Sequence, residues 1–352
     1  MTARRAQFAR AHPERFILSE TDKVAASRYL SGRGLLPAGT PVDVERAGAG
    51  NMNLTVRVRA GGSSWILKQG LPWVEKYEQI AAPSERTGVE ARFYEMVRAN
   101  PGVAAAMPAL IDADHADGVL ILEDLGAGRD YTGIYAGKLL ADDVLDALVT
   151  YLRNLNGVRP EPGMRAAFAN RAMRALNHEH IFRFPLDPLN GLDLDALTPG
   201  LTQASEPLRR DPLYAARARE LGARYLADGP TLVHGDFFPG SWIDADAAVR
   251  VIDPEFCFLG VPEFDPGVML AHLALGLQPE ASARRVLDAV RGDHSGVLGF
   301  AGIEIMRRLI GVAQLPLPYG VETKSRLLDL SRSLVLHHHQ GLDWPQRGLN
   351  WA

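Results

Sequence analysis

The stretch Val233-His234-Gly235-Asp236-Phe237-Phe238-Pro239-Gly240-Ser241, with Val249-Arg250-Val251-Ile252-Asp253-Pro254-Glu255 shortly after it, decides how this chain is read. Each part is a short apolar run that ends at an acid. Asp236 follows one strand and sits in a tight turn beside a glycine, and Asp253 follows a second strand, Val249 to Ile252. Two strand ends with one carboxylate each suggest a hairpin that aims both acids into one cleft. Taken singly, an aspartate in a loop caps a turn. The pair, with His234 and Glu255 at fixed offsets, fits metal-assisted phosphoryl transfer better. In that chemistry one acid orients the attacking hydroxyl and accepts its proton, and another holds Mg²⁺ on the phosphates.

Two segments upstream bear on the same chemistry. Gly48-Ala49-Gly50-Asn51-Met52-Asn53 lies between two stretches that alternate apolar and polar residues at period two. Glycines there let backbone amides approach a phosphate. A plain Gly/Asn hairpin explains the segment equally well. No Gly-Lys-Ser/Thr follows it, and a strand rather than a helix comes next, so it is neither a Walker A loop nor a dinucleotide fingerprint. Lys68 closes the strand Trp65-Ile66-Leu67-Lys68. It is one of five lysines, with Lys23, Lys76, Lys138 and Lys324. A strand-end lysine is ordinarily solvated surface. Here it follows a glycine loop, and Glu90 on the next helical stretch can pair with it and hold it against phosphates.

Glycine loop, strand lysine, helix glutamate, apolar hinge strand, catalytic acid and metal acid, in that order from Gly48 to Asp253, resemble a protein kinase. His-Gly-Asp with a second acid downstream is similar to the aminoglycoside phosphotransferase and choline kinase superfamily, and within it to the 5-methylthioribose kinases. The likeness to the latter is carried by Gly50-Asn51-Met52-Asn53-Leu54, Lys68-Gln69-Gly70-Leu71-Pro72, Asp253-Pro254-Glu255-Phe256 and Met306-Arg307-Arg308-Leu309-Ile310-Gly311. It runs from about Phe16 to Gln314.

The resemblance implies an α+β fold of two lobes, a β-rich N-lobe over residues 1–125 ending in the hinge and a helical C-lobe over 126–352, with nucleotide bound in the cleft. It implies ATP and Mg²⁺ as cofactors. Gly48, Gly50, Asn51, Asn53, Lys68 and Glu90 would serve the nucleotide, and the Glu123–Leu125 backbone would meet adenine. Asp236 would be the base, and Asp253 would ligate the metal with Glu255 as an additional acid. Ser241 stands at the Asn position of most kinases, as in methylthioribose kinases, and counts as a metal-site oxygen. Arg307 and Arg308 would lie near the sugar and the transferred group. Helix geometry turns neighbouring residues about 100° apart, so both face one site only if the helix end does. Otherwise one is in the site and one in a salt bridge. Asp265 matches an aspartate that stabilises the catalytic loop.

Three departures lie on the acceptor side. Glu78-Gln79-Ile80-Ala81-Ala82-Pro83 lacks the family's covering-loop tryptophan; Trp73 and Tyr77 are close by but do not align with it. Ala313-Gln314 replaces Ala-His. Phe237-Phe238-Pro239 replaces a histidine- and threonine-bearing loop.

Composition limits the alternatives. The chain has 352 residues, and 42 acids against 38 bases give a net charge of −4. Without a basic surplus, a general nucleic-acid coat is disfavoured. A single cysteine, Cys257, excludes a disulfide framework and a Cys-cluster metal site, and a buried thiol fits a reducing cytoplasm. No apolar run is long enough for a membrane span. His337-His338-His339 lacks accompanying ligands for an ion. The expectation is a cytoplasmic ATP-dependent kinase of a small-molecule hydroxyl compound, without nucleic-acid or membrane partners, with a homodimer implied by the resemblance. The acceptor hydroxyl expected is the anomeric one of 5-methylthioribose. An aminoglycoside, a nucleoside antibiotic or an amino alcohol is the alternative, and a silent nucleotide-binding pseudokinase the competitor of another class.

Periodicity predicts a helix over Asp22–Gly32 capped by Thr21, strands at Val42–Arg46, Leu54–Arg59 and Ser64–Lys68, and a helix over Ser84–Ala99. Further helices are predicted over Ala141–Leu155, Leu208–Ala227, Val268–Leu277 and Ile303–Val312, with 160–200 irregular.

Overall fold

The computed structural model describes residues 2–48, 50, 52–290, 294–337 and 344–345. The chain divides into two compact units, Met1–Ala127 and Gly128–Ala352. No helix among the described residues is long and apolar enough to cross a membrane. The fold is mixed, with a sheet-based first unit and a largely helical second one, as the sequence predicts.

The first unit is built on a five-stranded antiparallel sheet. Strands Leu54–Ala60 and Ser63–Gln69 form its central hairpin, closed by Gly61 and Gly62, both at positive φ. A two-residue turn with left-handed backbone matches the natural strand twist, and glycine adopts it without steric cost. Leu54, Val56, Val58 and Ala60 alternate inward with Trp65 and Leu67, and pack with Ala26 and Leu30 of the helix Lys23–Gly32. That helix is capped by Asp22, whose carboxylate accepts from the Ala25 amide at 2.8 Å, and not by Thr21. Thr21 lies one residue too early for its oxygen to reach the orphan amides of the first turn.

The segment after Lys68, expected as a loop, forms a small hairpin of Trp73–Val74 and Tyr77–Ala81. Trp73 is buried there, edge-on to Phe8 and beneath Arg4 of the helix Ala3–Ala11. Arg86, fully buried, ties this region together. It donates to the side chain of Asn53 and to the carbonyls of Met52, Leu71, Trp73 and Pro83.

The second unit centres on the helix Ser295–Ile310, buried from Gly296 to its end. It packs against Phe264–Leu275 and Val321–Leu336. The expected helix over Leu208–Ala227 is two helices, Leu201–Arg209 and Pro212–Leu226. Asp211 caps the second, and Pro212 at its first position supports a fresh start. The 160–200 region is less irregular than expected. It contains the helix Arg171–His178, which continues into a π-helical turn, Glu179–Arg183.

Candidate functional site

In the first unit the strand Ser63–Gln69 alternates direction, so Lys68 points away from the Leu67 core. It meets Glu90 of the helix Arg86–Val97 at 2.8 and 3.0 Å, and both side chains are buried. The remaining expected nucleotide residues are placed as follows. Gly48 adopts positive φ, and Asn51 lies outside the described residues. Asn53 is buried, its side-chain oxygen 2.8 Å from Arg86 Nε, so it supports the fold of the loop. Glu123 ends the strand Val119–Glu123; its amide donates to the Ala109 carbonyl and its carboxylate accepts from the Ala109 amide, each at 2.9 Å. That amide is therefore engaged within the protein. Asp124 beside it is gripped by Arg57 at 2.7 and 2.9 Å, which steadies the chain leading into half-buried Leu125.

In the second unit the two acids do not share the expected hairpin. The strand before Asp236, Thr231–Val233, pairs with Phe258–Gly260. The strand before Asp253, Ala248–Val251, pairs with Trp242–Ala245. Cross-links join the two turns instead. The His234 ring donates through Nε2 to the Ile252 carbonyl at 2.9 Å, and its Nδ1 accepts from the Asp236 amide at 3.4 Å. The Ser241 hydroxyl donates to the Asp236 carbonyl at 3.2 Å, and the Ser241 carbonyl accepts from the Ile252 amide at 3.0 Å. Asp265 lies beneath the loop, fully buried, and accepts from the amides of His234 at 2.6 Å and Gly235 at 3.0 Å. Burial pushes its carboxyl up to about 7, helped by the charge of Asp236 and opposed by the two amides. Gly235 has φ +88°, and a Cβ there would lie 2.2 Å from the Phe256 carbonyl oxygen. Only glycine lets the two turns approach this closely.

Asp253 itself has φ +62°, a left-handed backbone that non-glycine residues seldom adopt. A backbone of this kind costs about 1–3 kcal/mol and persists only where the surrounding structure holds it. Glu255, in the short turn Pro254–Phe256, is buried, and its carbonyl accepts from Asn170 at 3.2 Å. Asp253, Glu255 and the Ser241 hydroxyl are all oxygen donors, the class magnesium takes. Among the described residues no group of three or more His, Cys, Asp or Glu gathers to hold an ion. Magnesium carried on phosphates uses one or two protein carboxylates and fills its shell with phosphate oxygens and water.

Arg307 and Arg308, at the end of the central helix, both reach Oδ1 of Asp236, at 3.3 and 3.2 Å. Both also meet Glu304, at 2.8 and 2.7 Å. Each arginine therefore meets both carboxylates, so the salt bridge expected of one of them is made by both. Phe238 lies against the Arg308 guanidinium at 4.8 Å. Gln314 donates to the Leu309 carbonyl at 2.7 Å and so closes the helix end. Sequence reasoning missed Glu304. Its signal is a lone acid in an apolar helix, three and four residues before the arginine pair. Of the histidine run, His337 follows the last helix, and His338 and His339 lie outside the described residues.

A sheet-based unit with a buried Lys–Glu pair, followed by a helical unit with a His-Gly-Asp loop, defines the kinase-like class of phosphotransferases. The profile of the phosphotransferase enzyme family matches residues 43–300, and the chain belongs to that family. It is 26% identical to a methylthioribose kinase of Geobacillus sp. (strain WCH70) over 86% of this chain and 88% of that protein. It is 27% identical to the methylthioribose kinase of Exiguobacterium sibiricum over 78% of this chain and 80% of that one. Among solved structures, the AMP-bound complex of spectinomycin phosphotransferase superposes with a TM-score of 0.52 at 11% identity, covering 90% of this chain and 98% of that one. The gentamicin complex of APH(2")-IIa gives 0.51 at 16%, covering 91% and 97%. At such identities these two structures speak to the fold alone. The superfamily resemblance seen in the sequence holds.

Proposed function

We propose that the protein is an ATP- and Mg²⁺-dependent kinase that transfers the γ-phosphoryl group to the anomeric hydroxyl of 5-methylthioribose. The observation that carries this reading is the placing of two guanidinium groups on the single carboxylate oxygen Oδ1 of the His-Gly-Asp loop. The family membership and the methylthioribose kinase relatives agree with it. In our reading Asp236 Oδ2 takes the proton of the acceptor hydroxyl as that oxygen bonds to γ-phosphorus and the bond to ADP breaks. An anomeric hydroxyl is more acidic than an ordinary alcohol, so a carboxylate base is sufficient. Lys68, held by Glu90, pairs with nucleotide phosphates, and the Glu123–Leu125 backbone meets adenine. Asp253, Glu255 and Ser241 would hold Mg²⁺, which when bound would supply charge neutralisation at the phosphates.

A cationic aminoglycoside calls for acidic groups around its amines. The arginine pair beside the base favours an uncharged or anionic acceptor instead. An acceptor screen with ATP, comparing 5-methylthioribose, aminoglycosides, nucleosides and choline, tests this. Phosphorylation of 5-methylthioribose in preference to the others is expected. Preference for a cationic acceptor overturns the substrate assignment, and so does absence of transfer to any of them.

A further inference from the structure

The helix Ser295–Ile310 is buried from Gly296 onward, yet it carries three charged side chains within five residues. At 100° per residue, Glu304 lies about 60° to one side of Arg307 and about 40° to the other side of Arg308. Its carboxylate can therefore face both. Arg308 Nε donates to Oε1 at 2.7 Å. Arg307 Nε lies 2.8 Å from Oε2 as an ion pair, although its N–H is not aimed along a hydrogen bond. Anchoring both arginines through Nε turns their terminal nitrogens outward, and Nη2 of each meets Asp236 Oδ1. Asn177 gives Arg307 a further hold at 3.4 Å.

A second layer holds Glu304. His272 Nε2 lies 3.2 Å from Glu304 Oε1, and His272 Nδ1 lies 2.6 Å from the Tyr135 hydroxyl. Both rings are buried. The consistent arrangement has Tyr135 O–H donating to Nδ1 and Nε2–H donating to the carboxylate. Burial pushes the Glu304 carboxyl up, but Arg307 and Arg308 outweigh this and hold it below the usual carboxylate range. Two guanidinium charges thus face two carboxylates, Glu304 and Asp236.

We propose that Glu304, itself oriented by the Tyr135–His272 pair, is a positioning residue that fixes Arg307 and Arg308 against the base Asp236. This rests on the proposed role of Asp236 and the arginines at the acceptor. Without the Glu304 charge, both guanidinium groups are free to close on Asp236 and compete with the acceptor for it. The defect then falls on the acceptor and spares the nucleotide.

The test uses the full chain with Glu304→Gln, which keeps the side-chain volume. Steady-state kinetics use ATP and the acceptor found best in the screen. The expected result is a fall in acceptor kcat/KM of roughly tenfold or more, with ADP affinity by calorimetry within about twofold of wild type. Wild-type acceptor kinetics overturn the proposal. So does an equal loss of acceptor turnover and ADP affinity, which marks a merely structural role. Should Glu304→Gln fail to fold, Tyr135→Phe removes only the outer hydrogen bond. It is expected to lower acceptor kcat/KM by roughly two- to fivefold with ADP binding unchanged, and no loss overturns the proposal. A second readout is independent of turnover. In ¹⁵N-arginine-labelled protein, the Arg308 Nε–H resonance, assigned by its loss in Arg308→Lys, is expected to be protected from exchange. The Tyr135→Phe or Glu304→Gln change is expected to shift it and speed its exchange. If wild type phosphorylates nothing, the functional reading fails while this resonance still decides the positioning role: an unchanged resonance overturns it.

Discussion

Lys68 and Glu90 form a two-pronged ion pair in the interior of the first unit, with Nζ 3.0 Å from one carboxylate oxygen and 2.8 Å from the other. Breaking a buried pair by removing one partner costs about 3–5 kcal/mol, whereas replacing both with apolar residues is often neutral. Lys68→Met and Glu90→Leu should each destabilise by that amount in denaturant unfolding. The double variant should return to within about 1 kcal/mol of wild type. It should nevertheless bind ATP roughly tenfold more weakly or worse, measured by calorimetry, because the ammonium proposed to pair with the phosphates is gone. Wild-type ATP affinity in the stable double variant would leave the pair a structural role only.

Asp265 carries the His-Gly-Asp loop on two amides. Asp265→Asn presents an NH₂ to one of those N–H groups, and an unsatisfied buried donor costs about 1–3 kcal/mol. The variant should unfold earlier by that amount. The amides of His234 and Gly235 should exchange with deuterium faster while the first unit is unaffected.

Gly235→Ala introduces a Cβ 2.2 Å from the Phe256 carbonyl at a left-handed residue. The backbone preference alone costs about 1–2 kcal/mol, and the clash adds to it. Turnover should drop more than stability, because Asp236 adjoins the displaced residue. Equal activity per folded molecule would show that the loop tolerates the shift.

His272 is buried among Tyr135, Glu304, Arg308 and Asp236, and burial lowers its pKa to about 4. Below its ordinary value of 6.5 the unfolded chain takes up a proton that the folded chain refuses until about pH 4. Stability contributed by this group is therefore complete above pH 6.5 and is lost as pH falls through that window. The loss amounts to about 3 kcal/mol at its lower end. His272→Gln should show a shallower fall in unfolding free energy between pH 6.5 and 4 than wild type. Parallel curves would contradict this.

The hairpin around Gly61-Gly62 and the pairing of Lys68 with Glu90 were legible in the sequence, because period-two alternation and a strand-end lysine are local signals. The helix Arg171–His178 was not, since its Pro-, Asn- and Asp-rich surroundings mask an element that ends in a π turn. The paired turns of Asp236 and Asp253 were expected from one hairpin. They are joined instead through His234 and Ser241, non-local contacts that no spacing encodes. Glu304 shows in the sequence only as an acid in an apolar run, and its burial between two arginines depends on how three helices pack. Trp73 lies close to the covering-loop stretch in sequence without aligning to it, and nothing local signals that the helix Ala3–Ala11 packs against it, a contact across some 65 residues of sequence.

The central claim is that Asp236 is the base of phosphoryl transfer. Asp236→Asn keeps the shape of the side chain and removes its ability to take a proton. Turnover of ATP with the acceptor and ADP affinity should be measured on this variant and wild type side by side. The account predicts a loss in kcat of roughly 10²-fold or more with ADP affinity essentially unchanged. A variant that phosphorylates the acceptor at the wild-type rate would contradict it.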